Sequence, residues 1–259
     1  MVKSSLSFRT FFFRNTDRII FSNDIMKRLI KKMHHLDETK LKVINRGINL
    51  KDSEINKSKM EIRREFNIPE NLFVLLSVGR HTPRKDFALV IKAVSEIKKK
   101  RPSLNLKYFL IGRGGETPKL KKLAAELNIE NEVVFIGNCE NEIRNKFYKL
   151  SDVFLMPAIT KKDDIEGFGI VFLESNYYKV PLIGTATGGI EAAIIDQETG
   201  FLIRQNDLKE LVEKILFLYD NEDKRKEMGE KGHKIVVKEQ NREKIVYDYI
   251  NVFTNLILD

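Results

Sequence analysis

The chain has 259 residues, 42% of them hydrophobic and 32% charged, which is enough for one large domain or two modest ones around a sizeable core. A single cysteine, Cys139, excludes a disulfide framework and a multi-cysteine metal site; His34, His35, His81 and His233 lack metal-ligand spacing, so no bound metal is expected. The formal charge of +9 suits an anionic ligand, an anionic lipid surface or nucleic acid.

No run approaches the roughly 18 apolar residues of a membrane span. The cluster Phe11-Phe12-Phe13 is too short for a signal-peptide core, so a cytoplasmic placement is expected. Residues 18–21 read as a strand, and Ser22-Asn23-Asp24 as the cap of a following helix. Residues 42–45 form another short strand, and the polar stretch 49–59 a linker. From about residue 70 the pattern alternates. Strands are predicted at 72–78, 106–111, 133–136, 153–156, 180–183 and 200–203. Helices are predicted between them at 85–100, 118–127, 142–150 and 168–178, and then at 207–219, 223–237 and 242–256. Repeated strand–helix–strand units imply an α/β fold with a Rossmann-like parallel sheet and helices on both faces. Ligands of such sheets bind at the carboxyl ends of the strands, where the strand order reverses. The basic clusters at 98–101 and 119–122 lie near predicted helix ends and read as solvated faces; no nucleic-acid module surrounds them, so nucleic acid is not an expected partner.

The residues with chemical potential fall in strand-to-helix connections. Gly79 to Asp86 follows the first strand of the main unit. Gly79 permits a close turn, and Arg80 and Lys85 project near a helix N-terminus, a setting suited to phosphate. Gly112-Arg113-Gly114-Gly115 lacks the third glycine of a dinucleotide fingerprint and follows the wrong strand, so it reads as a glycine turn, and a dehydrogenase reading is disfavoured. In the segment 166–174, Glu166 sits in a loop and Glu174 two turns into the predicted helix. Gly167 and Gly169 leave amides exposed at the helix start, suited to a diphosphate or a sugar hydroxyl. Glu174 lies among Ile170, Val171, Phe172 and Leu173 and needs a polar partner, for which ribose hydroxyls are candidates. Gly188-Gly189 precedes a short helix and again presents amide donors.

Taken together these segments resemble the C-terminal, donor-binding domain of the GT-B retaining glycosyltransferases of group 1, also called family 4. The match rests on Gly79-Arg80 with Lys85, Phe135-Ile136-Gly137, Asp152 to Pro157, Glu166 with Glu174, Pro181-Leu182-Ile183, Gly188 to Glu191 and Glu198 to Leu202, in order from about residue 70 to 257. The resemblance implies a transferase using a UDP- or GDP-type nucleotide sugar, with no further cofactor. By resemblance, Arg80 and Lys85 hold the donor diphosphate and Glu166 contacts the sugar hydroxyls, these three being the catalytic candidates. Gly79, Gly167, Phe168, Gly169, Ile170, Val171, Gly188 and Gly189 line the donor site, Glu174 binds the ribose, and the backbone around Cys139 meets the base. Full members carry two Rossmann-like domains. Here residues 1–55 resemble a remnant of the N-terminal acceptor domain plus linker, and 56–259 the nucleotide-sugar-binding domain. Tyr177-Tyr178-Lys179 departs from the small residues usual before Pro181. The expected partners are a nucleotide sugar and an acceptor domain on another chain. The alternatives are a non-catalytic donor-binding module or one half of a split enzyme. The basic surplus permits peripheral association with the inner face of a membrane.

Overall fold

A computed structural model describes residues 11–13, 15–160 and 164–258. The first unit is small. Strands β1 (Ile19–Phe21) and β2 (Leu41–Val43) pair in parallel. Helix α1 (Asp24–His34) joins them, capped by Asn23, whose side chain accepts from the Met26 amide. Phe21, Leu36 and Leu41 form a core cluster of their own, against which Met26 and Ile30 of α1 pack.

Helix α2 (Lys59–Glu65) opens the main unit with a reciprocal capping box between Ser58 and Glu61. The linker predicted over 49–59 therefore ends one residue early, in that cap. Then come β3 (Phe73–Val78), α3 (Phe87–Lys100), β4 (Leu106–Ile111), α4 (Thr117–Glu126), β5 (Val133–Gly137), α5 (Asn141–Leu150) and β6 (Val153–Met156). The remainder is α6 (Ile170–Tyr177), β7 (Leu182–Thr185), β8 (Gly200–Ile203), α7 (Leu208–Asp220), α8 (Glu222–Glu239) and α9 (Arg242–Leu258). The six later strands form one parallel sheet in the order β5-β4-β3-β6-β7-β8. Strands β3 and β6 are buried throughout, as continuous apolar runs require when helices cover both faces. The chain winds outward from β3 to β5, then returns to β3's other side to lay down β6. The β3/β6 border is therefore the point where strand order reverses.

A polar knot ties α2 to the amino end of the sheet. Arg63, buried, bonds the carbonyls of Leu150, Glu70 and Leu72 and meets Asp152 Oδ2 at 2.7 Å. Lys59 reaches Asp152 Oδ1 at 2.6 Å, and the Val74 amide donates to Asp152 Oδ2. Burial works to raise the Asp152 carboxyl, but Lys59 and Arg63 outweigh it and hold the group below the usual carboxylate range. At the other end of the chain α9 returns to the small unit. The Ile48 amide bonds Gln240 O, the Arg242 amide bonds Ile48 O, and Val252 lies buried.

Candidate functional site

The two loops that leave the sheet at the β3/β6 border meet each other. After β3, residues Pro83–Lys85 form a 3-10 turn, and Asp86 adopts a left-handed conformation that redirects the chain into α3. This turn presents Arg84 and Lys85 toward the loop after β6. Lys85 Nζ lies 2.6 Å from Glu166 Oε2 and 3.1 Å from Met156 Sδ, at the tip of β6. Arg84 pairs with the same Glu166 oxygen and, through Nε, with Asp164 Oδ1 at 2.7 Å. The backbone is stitched as well, the Ile159 amide donating to Arg84 O at 2.8 Å. Lys85 and Glu166 are each largely buried. Burial pulls the Lys85 ammonium below its ordinary value despite Glu166 beside it. Burial also works to raise Glu166, yet Lys85 and Arg84 prevail and hold it below the usual carboxylate range.

The Gly167 loop and the Gly188 turn pack backbone to backbone. The Gly189 amide donates to Glu166 O at 2.7 Å, and a Cβ on Gly189 would stand 2.0 Å from Gly167 O. Gly188 has φ +52°, and a Cβ there would meet Glu166 O at 2.7 Å. Only glycine admits this approach. The sequence reading assigned the Gly188-Gly189 amides to a ligand; the Gly189 amide is instead spent inside the fold, holding Glu166 in place. Buried Asn23 extends the arrangement to α1, its Nδ2 donating to Gly167 O at 2.7 Å.

Helix α6 begins at Ile170, two residues later than predicted, because Gly169 takes a left-handed φ of +80° at the N-cap. Phe168 and Gly169 therefore belong to the loop. The first helical amides, Ile170 and Val171, have no intrahelical acceptor. Among the described residues, the amides of Gly167, Phe168 and Gly169 donate to no protein acceptor either. Five consecutive amides, 167–171, thus lie unspent directly after Glu166, the residue that Lys85 contacts. Phe168 is buried, Val171 half-buried and Ile170 exposed. The later start also puts Glu174 little more than one turn into α6. Its polar partners are on the protein: Tyr148 Oη donates to Oε2 at 2.7 Å, and Arg144 lies 3.3 Å from Oε1. Burial, reinforced by Glu174, pushes the Tyr148 phenol well above its ordinary value, so it remains a donor.

The glycine turn after β4 proves to be part of the same edge. A Cβ on Gly112 would lie 2.1 Å from Gly79 O, and one on Gly114 2.2 Å from His81 O. The Gly112 amide bonds Gly137 O, which links the β3, β4 and β5 loops in series. Cys139 follows, half-buried, its thiol pushed up by burial. Arg80 is exposed and makes no ion pair among the described residues, so it stands apart from the Lys85–Glu166 centre.

Sequence reasoning missed Arg84, Arg144 and Tyr148, and read Asn23 only as part of the helix cap that it does form, not as a contact to Gly167. Arg84 was visible as the cation next to Lys85. Arg144 and Tyr148 share a helix face at a spacing of four, but their meeting with Glu174 is tertiary. Among the described residues no cluster of three His, Cys, Asp or Glu side chains could hold a metal ion. A cavity of about 490 Å³ lies at the opposite, amino end of the strands, lined by Lys59, Arg63, Asp152, Tyr219 and Arg225. The carboxyl edge is the better candidate, since parallel sheets bind ligands there and its amides are unspent, whereas the polar groups of the Arg63–Asp152 knot bond one another.

Residues 58–235 match the model of the family described as glycosyl transferases, group 1. The chain belongs to this family. It is 31% identical over 220 residues to a trehalose synthase of Pyrococcus horikoshii, a match covering 82% of this chain and 50% of that protein. Among solved structures it resembles a sucrose-phosphate synthase from Thermosynechococcus elongatus, with a TM-score of 0.87 at 22% identity, over 99% of this chain and 62% of that one. It also resembles Anabaena Alr3699/HepE in complex with UDP-glucose, with a TM-score of 0.84 at 17% identity, over 98% of this chain and 68% of that one. The group 1 chain thus has the GT-B-type α/β fold expected from its motifs, and it spans about half the length of the curated relative named here.

Proposed function

We propose that this group 1 chain binds a nucleotide-sugar donor of UDP or GDP type at the carboxyl edge of its sheet and contributes that half of a retaining sugar transfer. The reading rests on one observation above the others: Lys85 and Arg84 meet Glu166 across the β3/β6 switch point, beside the free amides of 167–171. The solved neighbour carrying UDP-glucose supports the ligand class. In this scheme the donor diphosphate lies against Lys85 and the loop amides, with Arg80 closing on it from the exposed side. Glu166, whose Oε1 makes no hydrogen bond among the described residues, accepts from sugar hydroxyls. Glu174 accepts from the ribose while Tyr148 fixes its orientation. The backbone near Cys139 meets the base.

Departure of the nucleoside diphosphate leaves an oxocarbenium-like sugar and places growing negative charge on the phosphates. Fixed cations and amides aimed at that charge lower the barrier, by about 3–4 kcal/mol for each well-placed donor in comparable sites. Burial pulls the Lys85 ammonium down, and a phosphate arriving there would push it back up.

Residues 1–55 are read as the remnant of an acceptor domain with its linker, and 56–259 as the donor-binding domain. A second reading is that the chain binds the donor without catalysis, or is one half of a split enzyme. The test is to follow UDP-glucose and GDP-mannose by proton NMR with the purified chain, alone and with candidate acceptors. Slow hydrolysis or transfer that keeps the anomeric configuration is expected. An inverted product would contradict retention, and indifference to every nucleotide sugar would contradict the reading as a whole.

A further inference from the structure

The loop that carries Glu166 is held by two donors from outside it. The Gly189 amide donates to Glu166 O, and Asn23 Nδ2 donates to Gly167 O, each at 2.7 Å. The turn that supplies Gly189, Gly188–Ala192, itself packs on α1. The small unit, the turn and the loop therefore form one stack.

Asn23 has little freedom in this stack. It is 1% exposed, and its Oδ1 accepts from the Met26 amide at 2.8 Å as the cap of α1. The cap decides which end of the carboxamide faces Gly167: the acceptor is spent on an N–H, so the donor meets the carbonyl. A helix cap needs only an acceptor, and Ser or Asp would serve α1 as well. The donor end of Asn23 thus does something that the helix does not require.

Its effect follows from the geometry of the peptide. None of the described peptide bonds is cis, so in each planar unit the N–H points opposite to the C=O. Drawing Glu166 O toward Gly189 turns the Gly167 N–H the other way. Drawing Gly167 O toward Asn23 turns the Phe168 N–H away from α1. Neither N–H meets a protein acceptor among the described residues. The space beside Gly167 is open as well. A Cβ there would meet no described atom within 4 Å, and Gly167 is not among the glycines of positive φ, so neither packing nor backbone conformation calls for glycine at this position. Open space beside two unspent amides of fixed direction suits an anionic oxygen.

We propose that Asn23 is a positioning residue for donor binding: by holding Gly167 O it aims the Phe168 amide at the sugar-bearing phosphate of the donor, so the small unit helps to set the affinity of the sheet edge for a nucleoside diphosphate. The proposal rests on the reading of that edge as the donor site.

The test compares UDP or GDP, whichever the chain binds, with the matching monophosphate by calorimetry. Asn23→Ser keeps an acceptor for the Met26 amide but ends short of Gly167 O. The melting temperature should stay close to that of the unaltered chain, the diphosphate should bind about three- to ten-fold more weakly, and the monophosphate should bind as before. Asn23→Asp, with its carboxyl ionised, also keeps the cap and sets an acceptor against Gly167 O; it should weaken the diphosphate at least as much. Equal losses for both nucleotides would mark a merely structural role and overturn the proposal, as would an unchanged diphosphate affinity in both variants. If the variants fail to fold, the unaltered chain still decides. In its proton–nitrogen NMR spectrum the Phe168 amide should move on saturation with the diphosphate and stay with the monophosphate; an unmoved Phe168 amide would overturn the proposal. An unaltered chain that binds neither nucleotide contradicts the donor reading and the inference with it, whereas diphosphate binding indifferent to Asn23 contradicts the inference alone.

Discussion

At the scale of single residues, the centre is arranged as a competition. Glu166 engages both Arg84 and Lys85, and in the proposed reading a donor diphosphate would take over those cations. Charge-assisted hydrogen bonds contribute about 1.5–3 kcal/mol. Lys85→Ala should therefore weaken UDP binding by about ten- to a hundred-fold, measured by calorimetry, and an unchanged affinity would remove the proposed phosphate contact. Glu166→Gln should release the cations, so UDP affinity should rise while nucleotide-sugar turnover falls; a parallel change in both would argue against a role toward the sugar. Arg80, solvent-exposed, should matter for diphosphate more than for nucleoside, and equal effects of Arg80→Ala on the two would remove its phosphate role. For Glu174 the sequence called for a polar partner and offered the ribose, yet Tyr148 and Arg144 already bond it. The need was legible from the apolar neighbours in the helix. The partners were not, because they lie on α5, brought near only by packing. Glu174→Gln keeps an acceptor for the buried Tyr148 hydroxyl and should weaken UDP without unfolding the chain. Glu174→Ala should in addition cost about 1–3 kcal/mol of stability through the unpaired phenol.

At the scale of elements, strands β4, β6 and β8 start and end where the hydrophobic runs do, because a strand covered on both faces shows its bounds as apolar limits. Other bounds shifted for local reasons. Strand β7 begins at Leu182 because the Val180 amide still bonds Ser175 O in the turn closing α6. The start of α6 shifted because a left-handed Gly169 is invisible to periodicity. Close backbone packing was equally hidden: the glycines of 112–114 and 188–189 announced turns, not the loops against which they press. Gly189→Ala should thus displace the Gly167 loop. Overpacking there should cost about 1–3 kcal/mol, and UDP binding should fall more than the melting temperature implies; intact UDP binding would contradict the loop's role. The Asp152 knot makes a separate prediction. Asp152 has a lowered carboxyl in the folded state, so its stabilisation is complete above the unfolded value of about 3.9 and is lost as pH falls through the lower folded value. Asp152→Asn should flatten the acid limb of the stability–pH curve, read by urea unfolding. Asp152→Ala, which strands buried Arg63, should cost about 3–5 kcal/mol.

At the scale of the whole molecule, the α/β architecture was legible because alternating strands and helices leave few alternatives, and the site was legible as a set of strand-end loops. Which loops touch required the strand order, since only the β3/β6 reversal puts Lys85 next to Glu166. The chain spans about half of the curated relative named above; the central proposal is that the carboxyl edge of its sheet binds the nucleoside diphosphate of a sugar donor. The most direct test of that central claim is calorimetry of the purified chain with UDP, GDP and NAD. Saturable binding of UDP or GDP, lost in Lys85→Ala, with no heat from NAD, is predicted. Binding of NAD without either nucleoside diphosphate would contradict it.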